Sequence, residues 1–264
     1  MLIAQLTDLH IGPPEDKVER LYGTSEALGR AVGHLVALAP RPDCLILTGD
    51  LVERGSAVEY GRLRQLLAPL AAIPTYAIPG NHDHRANLKT AFPEVAARAG
   101  AGPFVCYAVD DWELRLIALD TQVPGEDRGA LCPERLGWLD RTLAARPRTP
   151  TVVLMHHPPF RTGIAMFDAP GLTLEGAAVF ARILARHPQV ERVVCGHVHR
   201  PIAARIGGVP ASVAPSTAHQ YQLAFEGRAY AVAEPPSLDL HLWRNGTLIS
   251  HRSYIGAFPV PNAP

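Results

Sequence analysis

Six short apolar runs, set between longer stretches of helical periodicity, leave this chain few folds to adopt. The runs are LIAQLT (2–7), CLILTG (44–49), TYAI (75–78), LRLIALD (114–120), TVVLMH (151–156) and VERVVCG (190–196). Their length and β-branched content suit buried strands. Between them, residues 25–39 place Leu28, Val32, Leu35, Val36 and Leu38 largely on one face. Residues 57–68 follow Ser56, with Glu59 three positions on, the signature of a capping box. Residues 133–144 open with Pro133, suited to a first helical turn, and residues 173–187 carry Ala178, Phe180, Ala181, Ile183 and Leu184. This alternation predicts an α/β fold with a parallel or mixed sheet. Past residue 200 the segments PIAARI, VPASVA, RAYAVA, LDLHLW and TLISHRSY are β-rich, with hairpin signals at Gly207-Gly208 and Asn245-Gly246. They read as a second sheet packed on the first. The Pro-rich end GAFPVPNAP (256–264) reads as an extended tail and a candidate homo-oligomer contact.

Composition narrows the partners. Lys+Arg and Asp+Glu balance at 25 each, so no global positive field exists to hold a polyanion, and nucleic acid is not the expected partner. Cys44, Cys106, Cys132 and Cys195 form no CxxC pair and read as free thiols suited to a reducing compartment. The start MLIAQLTD has neither a basic n-region nor a small-residue cleavage site, and no apolar run reaches the length of a membrane span. A cytoplasmic chain without a membrane partner is therefore the expectation.

The chemistry sits where the apolar runs stop. The first ends at Asp8-Leu9-His10, the second at Gly49-Asp50 and the third at Gly80-Asn81-His82-Asp83; the later ones end at His156-His157 and at Gly196-His197-Val198-His199. Ligands in open α/β sheets bind beyond the carboxyl ends of strands, so five segments would deliver side chains to one rim. Residues two apart in an extended or turning backbone can converge, as Asp8 with His10 and His197 with His199. Glycines before Asp50, Asn81 and His197 permit close approach. A lone Asp-x-His or a lone strand-end histidine is usually structural; five in order are not. Oxygen mixed with imidazole nitrogen suits borderline and hard divalent ions such as Mn, Fe, Zn or Co, and no thiolate set with structural-zinc spacing competes. Asp8, His10, Asp50, Asn81, His156, His197 and His199 are too many ligands for one open ion and suit two, sharing a carboxylate. Asp50 is the expected bridge, and Asn81 supplies a neutral oxygen. His82 is left over, beside the metals and not needed by them.

These motifs, DLH (8–10), GD (49–50), GNHD (80–83), HHPP (156–159) and GHVH (196–199), closely resemble the pattern of the calcineurin-like metallophosphoesterase superfamily. TDLHIG, HHPPF and GHVHRP are similar to its small bacterial cyclic-nucleotide and glycerophosphodiester phosphodiesterases. The resemblance, which runs from residue 2 to about residue 220, implies a four-layer αββα sandwich with a dinuclear metal site at strand ends; residues 1–255 are expected to form the phosphoesterase domain. It implies one ion on Asp8, His10, Asp50 and His199, and a second on Asp50, Asn81, His156 and His197. His82 would face the substrate, with Asp83 orienting it. The implied activity is hydrolysis of small phosphodiesters by a hydroxide formed on the metals, with His82 protonating the leaving oxygen. Asn81, His82, His219 and Arg200 are the candidate substrate contacts, with Tyr22 and His157 behind them. Alternatives are a phosphomonoesterase or nucleotide phosphatase on the same centre, or a metal-bound scaffold without catalysis. His34, His187, His241 and His251 match no motif and read as core or surface histidines, and His84 as a solvated neighbour.

Overall fold

The computed structural model of the chain describes residues 1–169, 174–256 and 258. The first half runs β1 (Leu2–Leu6), α1 (Lys17–Tyr22), α2 (Thr24–Ala37), β2 (Cys44–Thr48), α3 (Ala57–Leu66), β3 (Thr75–Ile78), α4 (Arg85–Ala91), α5 (Pro93–Ala99), β4 (Tyr107–Val109) and β5 (Arg115–Ala118). The second runs α6 (Pro133–Ala144), β6 (Thr151–Leu154), α7 (Ala177–Leu184), β7 (Val190–Cys195), β8 (Ile202–Ile206), β9 (Val209–Val213), β10 (Gln220–Tyr221), β11 (Ala231–Val232), β12 (Ser237–Arg244) and β13 (Thr247–Tyr254). All six apolar runs are strands, and the Ser56–Glu59 capping box is present at the start of α3.

Two large mixed sheets face each other. One has the order β13-β12-β1-β2-β3, the other β4-β5-β6-β7-β9-β8. The strand-rich end of the chain is therefore not a sheet of its own. β12 pairs antiparallel with β1, Leu2 opposite Leu242, so both ends of the chain build the first sheet. β8 and β9, joined at Gly207-Gly208, extend the second sheet instead, with β9 parallel to β7. Exposed-face alternation would have placed them equally well in either sheet; the pairing partner decides.

Side-chain parity shows the layers. Leu116, Val152, Leu154 and Val194 pack into the core shared with the first sheet and with Leu28 and Leu35 of α2. Their neighbours Ile117, Val153 and Val193 pack the other way, against Leu136, Leu139 and Leu143 of α6 and Phe180 and Leu184 of α7. Adjacent strand residues point to opposite faces, so the second sheet is covered on both sides and the molecule is a four-layer αββα sandwich.

Sequence periodicity missed α1, α4 and α5, each of only six or seven residues, too short to show a period. His84, expected to be a solvated neighbour, accepts from the Asn87 N–H at 3.4 Å and caps α4. The helix expected over 173–187 starts only at Ala177, because Gly176 takes a left-handed φ of 87° at its N-cap; residue 173 lies outside the described residues. Most of the Pro-rich tail, residues 257 and 259–264, also lies outside them. Among the described residues no helix is long and apolar enough to cross a membrane.

Candidate metal centre

The carboxyl ends of β1, β2 and β3 in one sheet meet those of β6 and β7 in the other, and the polar residues following these strands converge there. The turns are tight. Asp8, His10, Asp50, His197 and His199 all have φ between 47° and 73°, and the one other non-glycine residue with positive φ among those described is Asn245 in the β12–β13 hairpin. Left-handed backbone is costly for residues with a Cβ, and its concentration at five of the seven expected ligands marks a shape held by the surrounding structure. The convergence of Asp8 with His10 thus comes from left-handed turns, not from strand alternation. Backbone bonds lock the turns together: Asp8 N–H to Gly49 O at 2.9 Å, His10 N–H to Asp50 O at 3.0 Å and Gly196 N–H to His156 O at 3.0 Å. Gly80 allows this closeness, since a Cβ there would collide with the Asp50 carboxylate and backbone nitrogen.

Acceptors behind the rings fix how the imidazoles face. His156 Nδ1 stands 2.8 Å from Thr48 O, His199 Nδ1 3.1 Å from His219 O, and His10 Nδ1 2.7 Å from Glu53 Oε2. A carbonyl or carboxylate only accepts, so each Nδ1 carries a proton and, in the neutral ring, each Nε2 turns a lone pair inward. The lone pairs then crowd together. His10 Nε2 lies 3.2 Å from His199 Nε2, and His156 Nε2 lies 3.1 Å from Asn81 Oδ1 and 3.3 Å from Asp50 Oδ2. His197 Nδ1 is likewise 3.1 Å from Asn81 Oδ1, while Asp8 Oδ1 stands 3.4 Å from His199 Nε2. Acceptors facing acceptors in a buried site repel unless a metal ion or a proton lies between them. An outward N–H on a carbonyl or carboxylate is also how metal-bound histidines are held. The residues present therefore fit divalent ions. Asp8, His10 and His199 form one group able to hold an ion; Asp8, Asp50 and His156 form another. Asp50 Oδ2 reaches toward both, 3.8 Å from His10 Nε2 and 3.3 Å from His156 Nε2.

Protonation follows the same crowding. Burial opposes the charge of Asp50, yet the imidazoles of His156, His82 and His10 hold its pKa well below the usual carboxylate range. Burial also works against a charged His156, but the Asp50 carboxylate raises it to about 9. His197 is pushed down to about 3 by burial and by His156. Without metal, a proton on His156 partly offsets the two carboxylates.

The remaining candidates divide. His82 is one-third exposed and lines a cavity of about 460 Å³ above the cluster. Its Nδ1 donates to the Glu53 carbonyl at 2.8 Å, leaving Nε2 as the free ring nitrogen. Asp83 was expected to orient that ring and does not. Its carboxylate accepts from Tyr60 Oη at 2.6 Å, Gly80 N–H at 2.8 Å and Leu51 N–H at 3.2 Å, so it ties the turn carrying Asn81 and His82 to the loop after β2 and to α3. Adjacent side chains on a turn diverge, which makes the neighbour in sequence a poor guide to the neighbour in space. Glu53 does the orienting, its carbonyl on His82 and its carboxylate on His10. No sequence motif singled it out; its place three residues beyond Asp50 was the available signal.

Arg200 is also elsewhere: its guanidinium binds Tyr221 O and, at 2.9 Å, Glu234, and it does not line the cavity. His219 does line it, with Nδ1 buried and unpaired, and its ring stacks on Tyr22 at 4.1 Å. Burial and the nearby His199 keep His219 neutral. His157 lies behind the cluster, Nδ1 2.8 Å from Thr121 Oγ1 and Nε2 3.1 Å from Asp127 O, with both nitrogens occupied by the protein. Val18, Leu21, Tyr22, Met166, Phe167 and Tyr221 form an apolar wall, and Lys17 is the one permanent cation among the described lining residues.

Comparison with known proteins identifies the family. The family described as calcineurin-like phosphoesterase matches residues 1–201. The chain is 34% identical over 264 residues, 99% of its length and 96% of the relative's, to the Arcobacter nitrofigilis protein named "Probable glycerophosphodiester phosphodiesterase GpdQ". It is 30% identical, over 93% of its length and 87% of the relative's, to the 3',5'-cyclic adenosine monophosphate phosphodiesterase CpdA of Vibrio vulnificus. Among solved structures, a dimetal phosphatase from Danio rerio superposes with a TM-score of 0.70 at 13% identity, covering 97% of this chain and 98% of that one, a likeness of fold.

Proposed function

This chain belongs to the calcineurin-like phosphoesterase family, and on that footing we propose that it is a metal-dependent phosphodiesterase for small diesters, glycerophosphodiesters or 3',5'-cyclic nucleotides. The observation that carries the reading is the set of inward-facing ring nitrogens, His10 Nε2 opposite His199 Nε2 and His156 Nε2 opposite Asp50 and Asn81, each ring fixed from behind. In this reading Asp8, His10, Asp50 and His199 hold one ion, and Asp50, Asn81, His156 and His197 hold the other. The oxygen and nitrogen donors suit Mn, Fe, Zn or Co. Two such ions, when bound, supply Lewis acidity toward both water and the phosphoryl oxygens.

The chain's own residues would do the rest. His82 presents Nε2 to the cavity with its tautomer set by the Glu53 carbonyl. Although burial opposes it, the Asp50 carboxylate raises the His82 pKa in the metal-free site, which favours the imidazolium that can protonate a leaving oxygen. Bound dications would weaken that pull. His219 and Tyr22 would flank the substrate, and the apolar wall would exclude water from one side. Diesters carry one negative charge, and a lining with Lys17 alone against Glu53 and Asp127 suits them better than a monoester dianion. The same reading takes residues 1–255 as the phosphoesterase domain and 256–264 as its tail.

The test is a Mn²⁺-loaded preparation given bis(p-nitrophenyl) phosphate, p-nitrophenyl phosphate, a cyclic nucleotide and a glycerophosphodiester. The diesters should exceed the monoester in kcat/KM by about tenfold or more, a difference of roughly 1.4 kcal/mol in transition-state stabilisation. A monoester preference would assign a phosphatase, and no turnover by the loaded protein would leave a non-catalytic scaffold.

A further inference from the structure

A second cavity, of about 350 Å³, opens between the two sheets and shares no lining residue with the first. Arg192 and Ser212 reach it from β7 and β9; Asp239, Ser250, His251 and Arg252 reach it from β12 and β13. Two arginines and one carboxylate meet there, and the carboxylate is committed. Asp239 takes two nitrogens of Arg252 in bonds of 2.9–3.2 Å. Arg192 keeps no ion-pair partner within 4.0 Å among the described residues, and its buried Nε makes no hydrogen bond. Ser212, 8% exposed, also has a buried Oγ without a partner.

Buried donors in native proteins are nearly always satisfied. Here an unpaired guanidinium and an unpaired hydroxyl line the same cavity. A cation is excluded by the two guanidinia, and an apolar ligand would leave both donors unsatisfied. An oxyanion meets each requirement, since several acceptor oxygens on a compact charge match the fork of an arginine and a neighbouring hydroxyl. We propose that this inter-sheet cleft is a binding site for a small oxyanion of the phosphate type, held by Arg192 and Ser212 and separate from the metal centre.

Titration calorimetry with inorganic phosphate on the metal-loaded protein, at constant ionic strength set with chloride, tests this independently of hydrolysis. The unaltered protein should show one phosphate site in addition to any at the metal centre. Arg192→Gln should weaken that site about tenfold or more while leaving metal content unchanged, as expected for loss of a charge-assisted bond. Ser212→Ala should weaken the same site, and it carries the test by itself should Arg192→Gln fail to fold. No phosphate site beyond the metal centre, or a second site indifferent to both substitutions, would overturn the proposal.

Discussion

His10 Nε2 and His199 Nε2 stand 3.2 Å apart, each ring pinned by an acceptor at its far nitrogen. Two imidazole lone pairs face each other with no donor between them, an arrangement that a divalent ion relieves.

Metal affinity should rise with pH. His156 has its pKa raised to about 9 in the metal-free site, so below that pH an ion must displace its proton. For that proton alone, affinity should increase by up to tenfold per unit, about 1.4 kcal/mol, as pH climbs toward 9. Competition with a chromophoric chelator at several pH values measures the slope, and an indicator dye in weak buffer measures the proton released. A flat profile would show that His156 is neutral before loading.

His82 and Glu53 should separate chemistry from metal retention. His82→Ala should keep both ions and lower kcat on a poor leaving group by roughly 10²–10⁴. Glu53→Ala removes the carboxylate behind His10 and should weaken metal binding by about 10–100-fold. Glu53→Gln retains an oxygen for the His10 Nδ1–H and should recover part of that loss. Elemental analysis beside steady-state kinetics distinguishes the two; unchanged turnover in His82→Ala would remove it from the proposed mechanism.

Gly80→Ala should damage the centre without replacing any ligand. The added methyl meets the Asp50 carboxylate and backbone nitrogen, which cannot swing aside as a flexible side-chain tip would. A loss of about 1–3 kcal/mol in urea unfolding is expected, together with reduced metal content. Full metal content and unaltered stability would mean that the turn has slack the structure does not suggest.

His241 should make stability depend on acid pH. It is buried between Gln5 Oε1 at 3.0 Å and Ser250 Oγ at 2.7 Å, and burial, aided by Arg192, pushes its pKa down to about 3. The unfolded chain binds that proton near pH 6.5, the folded chain only near 3. Its contribution is therefore complete above pH 6.5 and is lost as pH falls toward 3, at up to about 1.4 kcal/mol per unit. His241→Gln does not titrate, so the stability gap between it and the unaltered protein should shrink from pH 7 to pH 5. Parallel curves in urea unfolding would count against the buried neutral histidine.

Much of the fold and of the candidate site was legible in the residues themselves. Strand-length apolar runs, the Ser56–Glu59 cap and the hairpin glycines are local signals, and they fixed strands and helices within a few positions. Asp8, His10, Asp50, Asn81, His156, His197 and His199 were recognisable because each ends an apolar run, and a strand end is a place a sequence can mark. Which groups stand behind them was not marked. Asp83 follows His82 in the chain yet serves Tyr60 and two backbone amides, whereas Glu53, from another loop, holds both His82 and His10. Arg200, beside a candidate ligand, turns to Glu234. The sheet that β12 and β13 join was equally hidden, because strand pattern specifies a face and not a partner. The sequence by itself determined the candidate donor side chains and the strands that carry them, since residue type and local periodicity mark both. Tertiary structure alone decided the left-handed turns, the acceptor at each Nδ1 of His10, His156 and His199, and the pairing of Asp239 with Arg252 that leaves Arg192 without an ion-pair partner among the described residues. Each of these depends on groups far apart in the chain meeting at hydrogen-bonding distance, and local pattern carries no record of that.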